Sequence, residues 1–269
     1  MLRLPAVAGQ FYPADAKQLA AEVEKYTTNE EGGAKRKVRA CLVPHAGYTY
    51  SGGVAGAVFS RIALPKTILL LGVRHYPRGE PMAILSEGAW RTPLGDVPID
   101  SVLAKALKQN CAGLREDKMA HRLEHSLEVE LPFLQMLTPE FSFVPVAIGT
   151  LRYQELRESG EGIARVVEKW PEEVLIVTSS DMNHYEDDET TRVKDGKAIE
   201  RLLRLDAKGL YETCRDEKVS MCGLGPAVTM LTAMEKLGVY KGELVSYATS
   251  GDVNGNRDEV VGYAGMLFG

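Results

Sequence analysis

The sequence predicts an α/β protein built around a mostly parallel sheet. Short apolar runs alternate with longer segments of helical period, which is the pattern of strands joined by helices over one sheet. The chain has 269 residues, of which 45% are apolar, so it can bury a full core. No repeat, low-complexity segment or convincing linker divides it, and we expect residues 1–269 to form a single domain.

The first elements can be placed from their boundary residues. Asp15 suits the N-cap of a helix through about Tyr26, because its carboxylate can accept the free amide protons of the first turn. The polar stretch TTNEEGGAKRK then predicts a surface loop, and residues 38–43 a buried strand. After VPHAGYTYSGG, residues 54–62 suit a second helix.

The remaining elements follow the same alternation of apolar period. The predicted strands cover residues 67–71, 82–85, 143–148, 174–177, 244–248 and 260–267, the last two as a hairpin around SGDVNGNRDE. The predicted helices cover residues 101–109, 153–169, 193–205, 206–214 and 226–237. WRTPLGDVPID is turn-rich. HSLEVELPFLQML places Leu127, Leu131 and Leu134 on one helical stripe with a bend expected at Pro132, and Glu128 lies on its polar side.

Charge and hydropathy exclude some functions. A net charge of −5 offers no extended basic surface, so we expect no nucleic-acid partner. No apolar run approaches the roughly 20 residues that span a bilayer, so we expect no membrane association. Pro5, Gly9 and Pro13 interrupt the start of the chain, which therefore lacks the apolar region of a signal peptide. We expect a cytoplasmic protein.

The four cysteines contain no CxxC pair, which disfavours a disulfide framework. Cys41, Cys111 and Cys214 are interpreted as small core residues. Cys222, in VSMCGLGPA, precedes a predicted helix whose first turn contains Pro226. Because a helix N-terminus favours the thiolate, we expect a lowered pKa at Cys222, which suits metal binding.

Three of the five histidines follow predicted buried strands, in CLVPH, ILLLGVRH and LIVTSSDMNH. In open α/β sheets, ligands bind just outside the carboxyl ends of the strands. His45, His75 and His184 therefore form, with Cys222, a set of imidazoles and one soft sulfur. Such a set suits iron, copper or zinc rather than magnesium or calcium.

Two interpretations of the neighbouring residues remain open. Asp181 is spaced either to approach the imidazole of His184 and fix its tautomer, or to cap the helix that follows. The glycines of VPHAGYTYSGG either make turns or let the backbone approach a ligand. In the second case Tyr48, Tyr50 and Ser51 would supply hydrogen bonds around the metal.

A competing motif predicts a different activity. The segment from His121 through Glu124 to His125 matches the H-x-x-E-H pattern of inverzincin peptidases, in which both histidines bind zinc and the glutamate is the general base. The motif requires one exposed helix, whereas the predicted helix begins near Ser126. A plain surface position for His121 is the other interpretation.

An ordered series of motifs runs nearly from end to end: AVAGQFYPAD, VPHAGYTYSG, LLLGVRH, WRTPLGDVPID, EHSLEVELPFLQ, SSDMNH, MCGLGP and GYAGMLF. This series resembles the Memo (mediator of cell motility) family, whose microbial members are often called AmmeMemoRadiSam system protein B. The resemblance implies a three-layer α/β/α sandwich around a mostly parallel mixed sheet, similar to the catalytic subunit of class III extradiol dioxygenases.

The resemblance also implies roles for individual residues. His45 and His75 correspond to the two iron-binding histidines of those dioxygenases, and Cys222 stands where they use a carboxylate. His184 corresponds to the acid/base histidine, with Asp181 as its acidic neighbour. His125 and Glu128 belong to a shared HSxE element that lines the same pocket.

One segment departs from the family pattern. The usual GPNH or GPSH is replaced by GVRHYPRGE, so Arg74 and Tyr76 are expected to place charge and bulk beside His75.

The expected cofactor is iron (Fe²⁺), with copper as the alternative and zinc third. Replacing a carboxylate by a thiolate means that ring cleavage is not simply inherited from the fold. One hypothesis is a redox or dioxygenase-like enzyme acting on a small-molecule or peptide-borne aromatic substrate. The other is a non-catalytic metal- or peptide-binding module, since eukaryotic relatives are thought to recognise phosphotyrosine peptides. The resemblance further implies radical-SAM and Ammecr-type pathway partners.

Overall fold

The computed structural model describes residues 1–28 and 33–269, so the middle of the predicted TTNEEGGAKRK loop lies outside the described residues. The strands are β1 Leu2–Arg3, β2 Ala40–Val43, β3 Thr67–Val73, β4 Met82–Ile84, β5 Ala89–Thr92, β6 Gly95–Pro98, β7 Arg115–Glu116, β8 Ser142–Ile148, β9 Val174–Ser179, β10 His184–Glu186, β11 Gly242–Thr249 and β12 Val260–Phe268. The helices are α1 Ala16–Thr27, α2 Tyr48–Phe59, α3 Ser101–Asn110, α4 Lys118–His121, α5 Leu131–Leu137, α6 Tyr153–Lys169, α7 Asp188–Leu203, α8 Ala207–Asp216, α9 Leu224–Lys236 and α10 Gly251–Asn254.

The main sheet is mixed and parallel at its centre. Its strand order is β10-β12-β2-β9-β3-β8-β4-β7, and β11 pairs with β12. Strands β2, β9, β3 and β8 run parallel, whereas β12 is antiparallel to β2 and β4 is antiparallel to β8. The register places Val43 beside Ser179, so β2 and β9 end together. The predicted α/β class and the β11–β12 hairpin are confirmed.

Helices cover both faces of this sheet. Alternate residues of a strand point to opposite faces, and in β2 Leu42 enters one core while Cys41 and Val43 enter the other. Helices α3, α6, α7, α8 and α9 contribute to the first core. Helices α1, α2 and α5 contribute to the second. The three-layer architecture implied by the resemblance is thus present. Within the described residues, no helix is long and apolar enough to cross a membrane.

Helix α2 begins at Tyr48, earlier than the predicted residue 54. Glycine is a weak helix former, which is why the sequence favoured a loop there. Packing against α1 explains the difference. A Cβ at Gly52 would lie 2.5 Å from the Tyr26 ring, and one at Gly56 would lie 2.3 Å from the Tyr26 carbonyl oxygen. These glycines therefore allow two helices to approach closely and do not turn a loop.

Two other predicted elements differ in detail. Residues Glu128–Glu130 form a 3₁₀ turn, and α5 begins at Leu131 with Pro132 in its first turn. Proline is tolerated there because the amide proton that it lacks would have no helical partner, so the expected bend is absent. WRTPLGDVPID forms the hairpin β5–β6, which joins β1 in a small three-stranded sheet. The buried Trp90 ring anchors this hairpin edge-on against Phe143, at 5.5 Å between ring centroids.

The N-terminal strand is fixed to the rest of the chain by a buried ion pair. The Arg3 guanidinium lies 2.5 Å from a carboxylate oxygen of Glu128, and it also donates to the backbone carbonyls of His121 and Glu124. The Glu128 carboxylate accepts further hydrogen bonds from the Ala6 and Val7 amides and the Tyr12 hydroxyl. Arg3 thereby positions the segment that carries Glu124 and His125.

We expect Arg3→Ala to lower the free energy of unfolding by about 3–5 kcal/mol, because it leaves the Glu128 charge buried without its partner. Arg36→Ala is the matched control. It removes an exposed ion pair with Glu243 and should cost less than about 1 kcal/mol. Denaturant unfolding followed by circular dichroism measures both values. Equal effects of the two substitutions would contradict the role given to Arg3.

Candidate metal centre

The candidate centre lies at the carboxyl edge of the parallel strands. His45, Asp181 and His75 each stand two residues beyond the last residue of β2, β9 and β3, which are adjacent in the sheet. Cys222 immediately precedes Gly223, the N-cap of α9, and His184 is the first residue of β10. Side chains from separate parts of the sequence therefore meet at one edge of the sheet.

These side chains line an open cavity of about 520 Å³. Its potential metal ligands are His45, His75, His125, Asp181, His184 and Cys222. Its aromatic residues, which sequence reasoning did not identify, are Phe11, Tyr185 and Tyr263. Phe11 lies within the motif AVAGQFYPAD, and its ring is 4.7 Å from that of His125.

Two histidines and a cysteine converge within this cavity. One ligand atom from each of His45, His75 and Cys222 lies within 4.8 Å of the others. The Cys222 Sγ atom is 3.3 Å from His45 Nε2, and the ring centroids of His45 and His75 are 5.2 Å apart. The structure thus brings together the three residues that the family resemblance implies as ligands.

His45 is held by one hydrogen bond to its ring and one from its backbone amide. Its Nδ1 atom is 2.7 Å from the Ser179 hydroxyl oxygen, and its backbone amide donates to Asp181 at 2.7 Å. The residue is only 2% exposed. Burial, together with the neighbouring His75, lowers the pKa of His45 to about 3, so its imidazole is neutral. A neutral imidazole is the form that binds metals.

His75 is oriented by Glu124. One carboxylate oxygen lies 2.8 Å from His75 Nδ1, and the other accepts the His75 backbone amide at 2.6 Å. Burial alone would raise the pKa of Glu124, but the hydrogen bond and charge of His75 outweigh it and lower the pKa to about 2. A carboxylate paired with one ring nitrogen is typical of a histidine whose other nitrogen is a metal ligand. Sequence reasoning had considered Glu124 only within the peptidase motif.

Cys222 differs from the sequence prediction in its acidity. Burial and the nearby Asp181 carboxylate raise the pKa of the Cys222 thiol well above its usual range. The amide of Asp181 donates to the sulfur at 3.2 Å and offsets only part of this effect. The expected lowering at the helix N-terminus is therefore outweighed by burial. Binding of a metal would displace the thiol proton.

Comparison with known proteins identifies the family. The family model described as Memo-like protein matches residues 3–267. The chain belongs to the Memo family. A MEMO1 family protein of Methanopyrus kandleri is 42% identical over 100% of this chain and 99% of its own length. One from Aquifex aeolicus is 41% identical over 99% of each chain, and one from Sulfolobus acidocaldarius is 38% identical over 100% of each.

A solved structure supports the fold. The uncharacterized protein JW3007 from Escherichia coli K12 superposes with a TM-score of 0.56 over 86% of this chain and 100% of its own. Its sequence identity to the Memo family chain is 13%, so the likeness concerns the fold alone.

The Memo family chain holds His184 by contacts that the sequence did not predict. His184 Nδ1 is 3.1 Å from the Ser220 carbonyl oxygen, and the Ser220 hydroxyl accepts the His184 amide at 2.8 Å. Asp181 instead accepts the His45 amide, and α7 is capped by Asp187. Neither open interpretation of Asp181, as the partner of His184 Nδ1 or as a helix cap, describes its contacts. Asp181, His184 and Cys222 nevertheless place one ligand atom each within 4.8 Å of one another.

Several predicted pocket residues lie outside the cavity lining, three of them because α2 begins at Tyr48. The Tyr48 side chain is buried, and its hydroxyl donates to the Val129 carbonyl at 2.6 Å. Ser51 donates to the Ala46 carbonyl at 2.9 Å. Tyr50 is 39% exposed on the helix. A helical backbone directs these side chains into packing and solvent, so they do not surround the cavity.

The side chains of Arg74 and Glu128 do not line the cavity either. The Arg74 guanidinium donates to the Gly79 carbonyl at 2.7 Å, and it does not line the cavity. Tyr76 is exposed and also absent from the lining, so the departure GVRHYPRGE does not narrow the described cavity. Glu128 is occupied by its ion pair with Arg3.

The peptidase motif is divided between two environments. His121 is fully buried and packs edge-on against Trp90, with 5.8 Å between ring centroids, so the expected surface position is wrong. Among the described residues it joins none of the candidate ligand groups, whereas His125 lies with His75 and Glu124. Both histidines cannot hold one zinc ion in this arrangement.

A buried carboxyl group supports the loop that carries His184. Asp195 accepts the Asn183 amide at 2.8 Å and the Tyr247 hydroxyl at 2.7 Å. The Asn183 side-chain oxygen in turn accepts the Ser220 amide and hydroxyl, each at 3.0 Å. Burial raises the pKa of Asp195 from 3.8 to about 6.

This shift predicts a pH-dependent contribution to stability. Between about pH 4 and pH 6 the folded state retains the Asp195 proton that the unfolded state releases. The stabilisation that protonated Asp195 contributes to the folded state is therefore complete below about pH 4 and is lost as the pH rises through 6. We expect the difference in unfolding free energy between the wild type and Asp195→Asn to fall by up to about 3 kcal/mol over that range. Denaturant titrations across the range measure it. A constant difference would refute the assignment.

Proposed function

We propose that this chain is a non-haem metal protein in which His45, His75 and Cys222 bind Fe²⁺ and which performs a redox or dioxygenase-like step on an aromatic substrate. The observation that carries this proposal is the convergence of three ligand atoms within 4.8 Å at the wall of an open cavity. Copper is the alternative metal and zinc the third. We place this activity in the cytoplasm, within a pathway that includes radical-SAM and Ammecr-type partners.

The donor set fits a transition metal. The Nδ1 atoms of His45 and His75 are engaged by Ser179 and Glu124, which leaves each Nε2 atom for coordination. A thiolate with two imidazoles favours iron, copper or zinc over the hard cations that oxygen ligands bind. Three ligands from the chain would leave coordination positions available for a substrate and O₂.

The remaining cavity residues suit an aromatic substrate with an acidic hydroxyl. His184 can donate Nδ1–H to the Ser220 carbonyl, which leaves Nε2 as a base for a phenolic proton. Phe11 and Tyr263 offer apolar surface for a ring, and His125 stacks on His75 with 4.5 Å between centroids. Burial lowers the pKa of His125 to about 4, so it adds no charge near neutral pH. When bound, Fe²⁺ would supply electrons to O₂ and a site for a catecholate.

Metal binding and turnover can be tested separately. Metal-free protein is titrated anaerobically with Fe²⁺, and O₂ uptake is then measured with catechol and with a peptide containing dihydroxyphenylalanine. We expect one Fe²⁺ per chain and substrate-dependent O₂ uptake, both lost in His45→Ala. Stoichiometric Fe²⁺ binding that persists in His45→Ala would reject the site.

The second candidate function is a binding module that holds a metal or a tyrosine-bearing peptide without turnover. Tyr185, at the mouth of the cavity, favours this candidate. It is 75% exposed and adopts a left-handed backbone with φ of 62°, a strained conformation of the kind that clusters at ligand-binding sites. Stoichiometric binding of a phosphotyrosine peptide with no O₂ uptake would support the module. Substrate-dependent O₂ uptake would support the enzyme.

A further inference from the structure

Glu130 is a buried carboxyl group that none of the proposed chemistry uses. It is 1% exposed, and Ser179 donates to its Oε1 atom at 3.1 Å. Its Oε2 atom has no hydrogen-bond partner among the described residues. Burying a carboxyl group with so few partners is costly, and such a group in a folded protein calls for an explanation.

A chain of hydrogen bonds connects Glu130 to His45. The Ser179 hydroxyl lies between them, 3.1 Å from Glu130 Oε1 and 2.7 Å from His45 Nδ1. Ser179 has a single hydroxyl proton. If that proton is donated to Glu130, the Ser179 oxygen must accept the Nδ1–H of His45. His45 Nε2 then carries a lone pair on the side where Cys222 Sγ lies 3.3 Å away.

We propose that Glu130, acting through Ser179, fixes His45 in the tautomer that presents an unprotonated Nε2 atom to the cavity. Glu130 is thus a positioning residue for the metal centre. This role in metal affinity rests on the function proposed above, whereas the effect on the tautomer exists in the metal-free protein and can be tested independently.

An acceptor at residue 130 is needed because serine can donate in either direction. Without that acceptor, the Ser179 hydroxyl is free to rotate and donate to His45 Nδ1. The imidazole proton would then reside on Nε2 and block coordination. His75 is controlled in a parallel way, since Glu124 contacts its Nδ1 atom directly at 2.8 Å. Each candidate histidine ligand therefore has a glutamate behind its Nδ1 atom, one in direct contact and one through a hydroxyl.

Two substitutions test the role of this chain of contacts. Glu130→Leu removes the acceptor while filling the buried space, and Ser179→Ala removes the bridging hydroxyl. Thr178→Val is the matched control, because Thr178 is the preceding residue of β9 and its buried hydroxyl has no hydrogen-bond partner within the described part of the chain. Circular dichroism verifies that each variant is folded.

The first measurement is the tautomer of His45 in the metal-free protein, read from long-range ¹H–¹⁵N correlation spectra. We expect Nδ1–H in the wild type and in Thr178→Val, and loss of this preference in Glu130→Leu and Ser179→Ala. The second measurement is anaerobic Fe²⁺ affinity, which should fall by about 10–100-fold in the same two variants.

The outcomes separate this inference from the proposed function. If the wild type binds no Fe²⁺ but the tautomer changes as expected, the metal function fails and the role of Glu130 in setting the tautomer stands. An Nε2–H tautomer in the wild type would overturn the inference. It would also be overturned if the tautomer were unchanged in both variants, or if Thr178→Val had an equal effect.

Discussion

Cys222→Ala is expected to weaken Fe²⁺ binding by more than the roughly 10–100-fold that loss of an outer-sphere partner costs, because it removes one of three donor atoms. Cys222 Sγ lies 3.3 Å from His45 Nε2 and within 4.8 Å of a ligand atom of His75, and among the described residues no other cysteine belongs to this ligand group. Anaerobic titration with Fe²⁺ and a competing chelator measures the affinity.

Two further variants sharpen this prediction. Cys111→Ala removes a thiol that is buried against the Ser159 carbonyl and does not line the cavity, and it should leave Fe²⁺ affinity unchanged. Cys222→Asp supplies a carboxylate, as the extradiol dioxygenases do, and should retain part of the affinity. Wild-type affinity in Cys222→Ala would remove the thiol from the ligand set.

His184→Gln is expected to lower catechol-dependent O₂ uptake by about 10²–10⁴-fold while leaving Fe²⁺ bound, because a general base contributes on this scale. Glutamine preserves a polar side chain near Ser220 but cannot accept a proton at neutral pH. Parallel measurements of O₂ uptake and iron content distinguish loss of the base from loss of the metal.

His121→Phe serves as the control for a histidine outside the cavity. Its ring is buried against Trp90, so an aromatic replacement should leave both iron content and O₂ uptake unchanged. Loss of bound metal in His121→Phe would restore the peptidase hypothesis. Undiminished O₂ uptake in His184→Gln would assign the proton transfer to another group.

The location of the site follows from sequence because strand ends can be recognised locally. His45, His75 and His184 each follow a predicted buried strand, and in open α/β sheets ligands bind just outside the carboxyl ends of the strands. Cys222 was found from its place before a helix, and the structure sets it beside His45. These arguments depend on strand type and spacing alone, which a single sequence contains.

The contacts that orient these residues depend on tertiary structure and could not be derived from spacing. Glu124 holds His75 across 49 residues of sequence, and Glu130 is separated from Ser179 by the same number. The predicted shift of the Cys222 pKa had the wrong direction. A helix N-terminus, which lowers a thiol pKa, can be recognised in the sequence, whereas burial beside Asp181, which raises it, cannot. The early start of α2 depends on the fit of Gly52 and Gly56 against Tyr26.

X-ray absorption at the iron edge tests the central claim most directly. Protein loaded anaerobically with one equivalent of Fe²⁺ should show a single sulfur scatterer and the multiple-scattering pattern of two imidazoles, and the sulfur contribution should vanish in Cys222→Ala. A wild-type spectrum with only nitrogen and oxygen neighbours, or one unchanged in Cys222→Ala, would contradict a centre formed by His45, His75 and Cys222.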